Sequence, residues 1–296
     1  MKRQKLSESI GKTAIHLVFI VYSLACIIPL LLILSISISN EQELLKNGYS
    51  IIPSKIDFSA YIYIFRSPTE ILNAYGITSF VTLVGTAVSI FIGSMIAYVL
   101  SQREFKYRNA ITFFIFFTML FNGGLVPWYI LIRNYLNLEN TVWALIVPSL
   151  VSPYYILILR TFFSKIPASL VESAKLDGAK DFYIYSSIII PLSKPALATV
   201  GLFTALGYWN DWWHCLMFID KYNMNSLQYL LQRIMRNIDY LYSAINTGVI
   251  TIKLSDLPTE SMRMAMVIMA AGPMLFLLTF LQKYFVKGLT IGAIKG

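Results

Sequence analysis

Six apolar stretches, each long enough or nearly long enough to cross a lipid bilayer, dominate the chain and leave few folds open to it. A helix needs about 20 residues to span the hydrocarbon core. The stretches are Thr13–Ile36, Tyr75–Leu100, Ala110–Ile132, Val142–Leu159, Ala196–Phe218 and Met262–Leu281. In hydrocarbon every backbone N–H and C=O must find a partner within the protein, so such runs are helical. Pro29, Pro127, Pro148, Pro153 and Pro273 fall inside them and predict kinks, with Pro148 and Pro153 dividing the fourth. The chain therefore reads as an all-α membrane protein with six transmembrane helices. Composition agrees: 57% of residues are hydrophobic and 13% charged, where a soluble domain carries about 25% charged residues.

The net charge of +9 follows the positive-inside rule more simply than it suggests nucleic acid, which is not expected as a partner. Lys2, Arg3, Lys5 and Lys12 precede the first stretch; Arg103, Lys106 and Arg108 crowd the next short loop on that side; Arg160, Lys165, Lys175, Lys180 and Lys194 mark the third; Lys283, Lys287 and Lys295 mark the end. The opposite side has sparser basic residues or spreads them over the long connection Ile219–Ser261. Both termini are thus expected in the cytoplasm. Residues 1–12 are expected to form a cytoplasmic N-terminal segment and 13–296 one transmembrane domain, with a tail at 282–296. The first apolar run is too long for a signal peptide and lacks a small-residue cleavage site. Ser37–Ala74 is too polar for lipid, and its Tyr61, Tyr63 and Phe65 suit an interfacial aromatic belt. Cys26 and Cys215, both in apolar runs, read as small core residues.

The stretch 164–195 stands apart, being amphipathic and charged. Pro167 suits a first helical turn, where a missing N–H costs nothing. Leu170, Val171 and Ala174 supply one apolar face. Asp177 favours a turn, and Gly178 accepts the left-handed conformation that ends a helix. A second helical run, Ala179–Ile190, leads to Pro191 and Pro195. Helix, sharp turn and helix make a hairpin of a shape that seats in a partner's groove.

These residues carry a resemblance. Glu172-Ser173-Ala174, three residues, Gly178-Ala179, and then Ile190-Pro191-Leu192 with Pro195 resemble the E-A-A-x-x-x-G loop of ABC-importer permeases. Ser173 replaces the first alanine, a small residue for a small one. Three further stretches resemble the carbohydrate-uptake subgroup: Asn122-Gly123-Gly124-Leu125-Val126-Pro127, Trp209-Asn210-Asp211-Trp212, and the tail from Gln282 to Gly288 ending Gly292-Ala293-Ile294-Lys295-Gly296.

The resemblance implies a type I importer fold in a bacterial plasma membrane. It implies a second permease, usually making a heterodimer, two cytoplasmic ATPase subunits that bind ATP and Mg, an external solute-binding protein, and an oligosaccharide as cargo. Glu172, Ser173, Ala174, Asp177, Gly178 and Ala179 would form the coupling helix and its turn, docked on one ATPase. Gly288–Gly296 would reach between the ATPases, as in the maltose-transporter permease.

The residues themselves supply expected absences. There is no G-x-x-x-x-G-K-[ST] phosphate loop, no G-x-S-x-G and no H-E-x-x-H. His16 and His214 stand far apart, so no metal site, catalytic residue or cofactor is expected in this chain. A membrane-embedded glycan or lipid transferase would need clustered acids or histidines at a helix end, whereas Glu104 and Asp211 stand alone in sequence. A secondary transporter would need an intramembrane ion-coupling network. A permease for a solute other than sugar is also open.

For the pathway, Asp211 lies in an apolar stretch, where a carboxylate costs at least about 2.5–3.5 kcal/mol. It is expected to face protein or water. On a continuous helix Tyr208 and Trp212 would share a face bordered by Asp211. With Asn210 and Asn122 they form the candidate sugar-facing set. The plainer alternative is a helix–helix hydrogen bond from Asp211 to the partner permease, with Trp212 merely packing.

Overall fold

The computed structural model describes residues 2–246 and 259–293. Along the chain, α1 (Lys2–Ser37) is followed by two short helices, α2 (Glu41–Asn47) and α3 (Ser59–Ile64), and by the long α4 (Pro68–Ser101). Next come α5 (Arg108–Leu120) and α6 (Leu125–Ile130), the latter running on into a π-turn over Leu131–Tyr135. Then come α7 (Trp143–Ile146), extended by a 3-10 turn at Val147–Ser149, and α8 (Pro153–Phe163). The hairpin consists of α9 (Ala168–Leu176), α10 (Asp181–Ile184), a π-turn at Tyr185–Ile189 and α11 (Ile190–Leu192). The remainder is α12 (Lys194–Trp209), α13 (Trp213–Phe218), α14 (Leu227–Asn246) and α15 (Thr259–Ala293).

Three helices are each long and apolar enough to cross a membrane: Gly11–Ser37, Pro68–Ser101 and Thr259–Thr279. Three bent pairs bring the total to as many as six spans among the described residues. The breaks have local causes. Between α5 and α6 the chain turns by 112°, where the Asn122 side chain accepts the Gly124 N–H at 2.9 Å. Gly124 itself takes φ +91, which strains any L side chain. Between α7 and α8 the bend is 51°, and Pro153 opens α8 where a missing N–H costs nothing.

The expected span Ala196–Phe218 is not continuous, because α12 ends at Trp209 and α13 restarts at Trp213. Asn210 closes the first helix, its amide donating to Leu206 O at 2.9 Å. Asp211 opens the second, its carboxylate accepting the His214 N–H at 3.1 Å. The third bent pair is instead Asp181–Leu192 with Lys194–Trp209, meeting at 83°.

Other expectations shift for similar reasons. Ile219–Ser261 is not an open loop, since it holds the 20-residue helix α14. Leu227, Leu230, Leu231 and Ile238 of α14 are buried while Arg236, Asp239 and Tyr240 are exposed, so its signal is amphipathic rather than apolar. Residues 247–258 of that connection lie outside the described residues. α15 runs unbroken to Ala293, through the start of the tail expected at 282–296; residues 294–296 lie outside the described residues. α1 likewise starts at Lys2, within the expected N-terminal segment. Cys215 is fully buried as expected, but Cys26 is exposed. It sits on α1, whose residues from 11 to 30 are all exposed among the described residues.

The chain forms two compact units, Met1–Pro68 with Arg233–Gly272, and Thr69–Gln232 with Pro273–Gly296. In the first, an isolated antiparallel bridge joins Ser39 to Ile56. Tyr61, expected in an aromatic belt, donates its hydroxyl to Ser37 Oγ at 3.0 Å. The second unit has a core of Ala97, Tyr98 and Leu100 from α4, Ile156, Leu159 and Phe163 from α8, Val200 from α12, and Ile184, Tyr185 and Ile189 from the hairpin. A neighbouring cluster gathers Val81, Leu145, Ile146, Tyr208, Cys215 and Ile219.

Candidate functional site

The hairpin is built as a glycine-terminated helix. Gly178 has φ +79. Its N–H donates to Lys175 O at 3.0 Å, and the Ala179 N–H donates to Ala174 O at 2.9 Å. These two bonds satisfy carbonyls that a helix end leaves open. The same two alanines, Ala174 and Ala179, pack with Val171 against the core shared by α4, α8 and α12. Small residues at these positions thus let the turn sit down on the spanning helices. The expected apolar face divides: Val171 and Ala174 face the protein, while Leu170 points outward. Pro167 lies one position before α9 rather than within its first turn.

The outward side carries Glu172, Ser173, Leu176 and Asp177, all exposed, with Leu176 at 89%. Phe182 and Tyr183 on the second arm are exposed at 62% and 60%. A solvent-facing leucine and two aromatic rings on one hairpin are an apolar surface that no other described residue covers. An added Cβ at Gly178 would meet nothing within 4 Å. The conformation, rather than crowding inside this chain, is what demands glycine there.

Two braces hold the hairpin region. Lys175 Nζ lies 2.6 Å from Glu104 Oε2, so the acid that stands alone in sequence has a partner. That hydrogen bond raises the Lys175 pKa above its ordinary value, against a smaller opposing effect of burial. Arg160 Nε donates to Leu100 O at 3.1 Å, pinning α8 to the end of α4.

The second candidate is a cavity of about 610 Å³ at the break between α12 and α13. Tyr208, Asn210, Asp211 and Trp212 all line it, as do Trp213, His214, Tyr155, Thr204, Ser149 and Ser152. The structure does not bring Asn122 to this cavity: that side chain folds the Gly124 turn instead. Because the helix stops at Trp209, Tyr208 and Trp212 do not share a helix face. Tyr208 is 3% exposed, its hydroxyl donating to Ile146 O at 3.0 Å and meeting Ser89 Oγ at 3.2 Å. It is wall rather than platform. The aromatic surface comes from Trp212 and Trp213, whose rings meet edge-on with centroids 5.6 Å apart.

Asp211 is held within the chain. Its Oδ2 lies 2.5 Å from His214 Nδ1, and its backbone carbonyl accepts Ser226 Oγ at 3.0 Å. His214 in turn packs against the edge of Trp128, centroids 5.4 Å apart. Sequence reasoning set His214 aside as a lone histidine; its i, i+3 spacing from Asp211 was the signal available. Asn210 Oδ1 accepts Gln228 Nε2 at 3.3 Å. No cluster of three or more His, Cys, Asp or Glu suited to a metal occurs among the described residues.

Residues 85–291 match the family described as "Binding-protein-dependent transport system inner membrane component". The chain belongs to this family. The permease is 38% identical over 270 residues to the protein LplC of Bacillus subtilis, covering 91% of this chain and 90% of that one. It is 35% identical over 278 residues to the polygalacturonan/rhamnogalacturonan transport system permease protein YtcP of the same species, covering 94% and 95%. The crystal structure of a bacterial ABC transporter involved in import of the acidic polysaccharide alginate contains a similar chain. It has TM-score 0.78 and 27% identity and covers 94% of this permease and 98% of that chain. The chain is accordingly an all-α permease of the type I ABC importer fold, a transport subunit and an inner membrane component.

Proposed function

We propose that this permease forms one half of the translocation pathway of an ATP-driven importer for an oligosaccharide. The observation that carries the cargo reading is the cavity at the break between α12 and α13. It is lined by Trp212 and Trp213 beside Asn210, the Asp211–His214 pair, Ser149, Ser152 and Thr204. Sugar rings pair apolar faces with closely spaced hydroxyls, and pockets that orient such ligands combine aromatic walls with a few placed polar groups. Relatives named for polygalacturonan and rhamnogalacturonan, for arabinooligosaccharides and for alginate support the same class.

In this reading a second permease completes the pathway, usually as a heterodimer. An external solute-binding protein delivers the glycan, and two ATPase subunits bind Mg-ATP and supply the work. The 164–195 hairpin docks on one ATPase through the surface bearing Leu176 and Phe182. Closing of the ATPases rocks the helices and exposes the cavity to alternate sides. Both termini and the hairpin lie in the cytoplasm, in keeping with the crowding of basic residues at 103–108 and 160–194.

The test is uptake by the assembled complex carrying Asp211→Asn or Trp212→Ala. Both variants are expected to assemble with the ATPases yet to lose sugar uptake at least tenfold. Assembly together with uptake at wild-type affinity and rate would remove these residues from the site. Failure of Asp211→Asn to assemble would make its role structural.

A further inference from the structure

The hairpin meets the spanning helices through one buried polar contact that the motif itself does not contain. Along its second arm the helix widens into the π-turn Tyr185–Ile189, where the Ile190 N–H bonds to Tyr185 O. The next residue, Pro191, has no N–H to give an ordinary helical bond, and its ring crowds the preceding turn. The wider turn relieves this and sets Tyr185 facing α4; such π-bulges often mark functional positions. Tyr185 is 6% exposed, and its hydroxyl lies 2.7 Å from Ser94 Oγ, itself 1% exposed. Ser94 Oγ also lies 3.1 Å from Phe91 O, within hydrogen-bond reach of its own helix. The Tyr98 ring, one turn further along α4, lies 5.5 Å from that of Tyr185.

Five residues toward the N-terminus of Ser94, α4 is gripped again. Ser89 Oγ meets the Tyr208 hydroxyl at 3.2 Å. Tyr208 donates to Ile146 O, so Ser89 is the donor here. The fit is close enough that a Cβ on Gly85 would lie 2.7–2.9 Å from the Tyr208 ring. At 3.6 residues per turn, Ser89 and Ser94 point about 140° apart, so α4 is held from two sides by two tyrosines. One tyrosine belongs to the hairpin, the other to the cavity wall.

We propose that Tyr185 and Ser94 are positioning residues for transport: through their hydrogen bond the hairpin moves α4, and α4 moves the cavity wall at Tyr208. This rests on the reading of the hairpin as the ATPase-coupling element. A packed apolar contact alone would let the hairpin slide along α4; a buried, directional hydroxyl pair fixes its register.

The experiment uses the complete complex in proteoliposomes. Val151, exposed at 49% on the cavity lining, is replaced by cysteine in a Cys26→Ser background and labelled with a maleimide, with and without ATP and vanadate. Trapping is expected to change the labelling rate in the otherwise wild-type complex. In Tyr185→Phe and in Ser94→Ala that change is expected to shrink at least threefold, while ATP hydrolysis and ATPase co-purification stay within twofold. The double variant should do no worse than either single one. Should Tyr185→Phe fail to assemble, Ser94→Ala decides alone. A full labelling change in the assembled variants, or additive losses in the double variant, overturns the link. Gly178→Val separates the two readings. If it abolishes the change while Tyr185→Phe leaves it whole, the link is wrong and the coupling hairpin stands. If Gly178→Val leaves it whole too, or the wild type shows no change, both fall.

Discussion

The carboxylate of Glu41 closes the N-terminus of a helix that begins more than two hundred residues later, at Ser261 and its neighbours. Glu41 Oε2 accepts the Ser261 N–H at 3.1 Å and the Ser261 hydroxyl at 2.8 Å. Oε1 accepts the Glu260 N–H and the Thr259 hydroxyl, each at 2.9 Å. Glu41 is 5% exposed and Ser261 fully buried. A negative charge also suits the positive end of the α15 dipole. Replacing Glu41 with leucine strands two backbone donors away from water, a loss of about 1–3 kcal/mol. Glu41→Leu should therefore lower the unfolding temperature of the purified permease. An unchanged melting curve would show that this cap does not hold the unit together.

Asp57 gives the same unit a pH response. Its Oδ1 accepts the Ser59 N–H and its Oδ2 the Asn40 amide, both at 2.8 Å. The Ser59 backbone bond, then the Asn40 bond, holds the carboxyl below its ordinary value, against a smaller effect of burial. A depressed folded-state pKa means the stabilisation is present above the unfolded value, about 3.9, and is lost as pH falls through the folded one. Hydrogen-exchange protection around α3, corrected for intrinsic rates, should be flat from neutral pH to about pH 5 and fall below about pH 4. Asp57→Asn should remove that dependence.

Gly178 tests the hairpin. With φ +79 and no neighbour within 4 Å of a built Cβ, Gly178→Ala should cost only about 1–2 kcal/mol of local strain. Gly178→Val adds bulk on the docking surface. We expect Gly178→Ala to retain most uptake and Gly178→Val to lose at least tenfold, with both proteins in the membrane. The check is uptake against the amount of ATPase that co-purifies. Equal, near-normal uptake by both would place the docking surface elsewhere.

What the sequence made legible follows how local its cause is. The Gly178 turn needs only its own residues and stands as read, because positive φ and the two closing bonds are set within one turn. The interruption at Asn210–Asp211 was missed because the apolar runs on either side of it add up to one span-length segment, while the break is made by two short polar side chains bonding backbone. Helix α14 was missed because its apolar residues lie on one face only. The Glu41 cap, the Lys175–Glu104 pair and the Tyr185–Ser94 contact join distant parts of the chain, and no spacing rule reaches that far. Asp211 was legible as a residue needing a partner; that the partner is His214, three residues on, required the end of α12 to be known.

The most direct test of the account is glycan uptake by proteoliposomes holding this permease, its partner permease and the ATPases. Labelled oligosaccharides and the solute-binding protein are supplied outside, and ATP is enclosed or omitted. Accumulation is expected only when ATP, binding protein and this chain are all present, and is expected to be lost with Gly178→Val. Accumulation without ATP, or driven by an ion gradient alone, would contradict it.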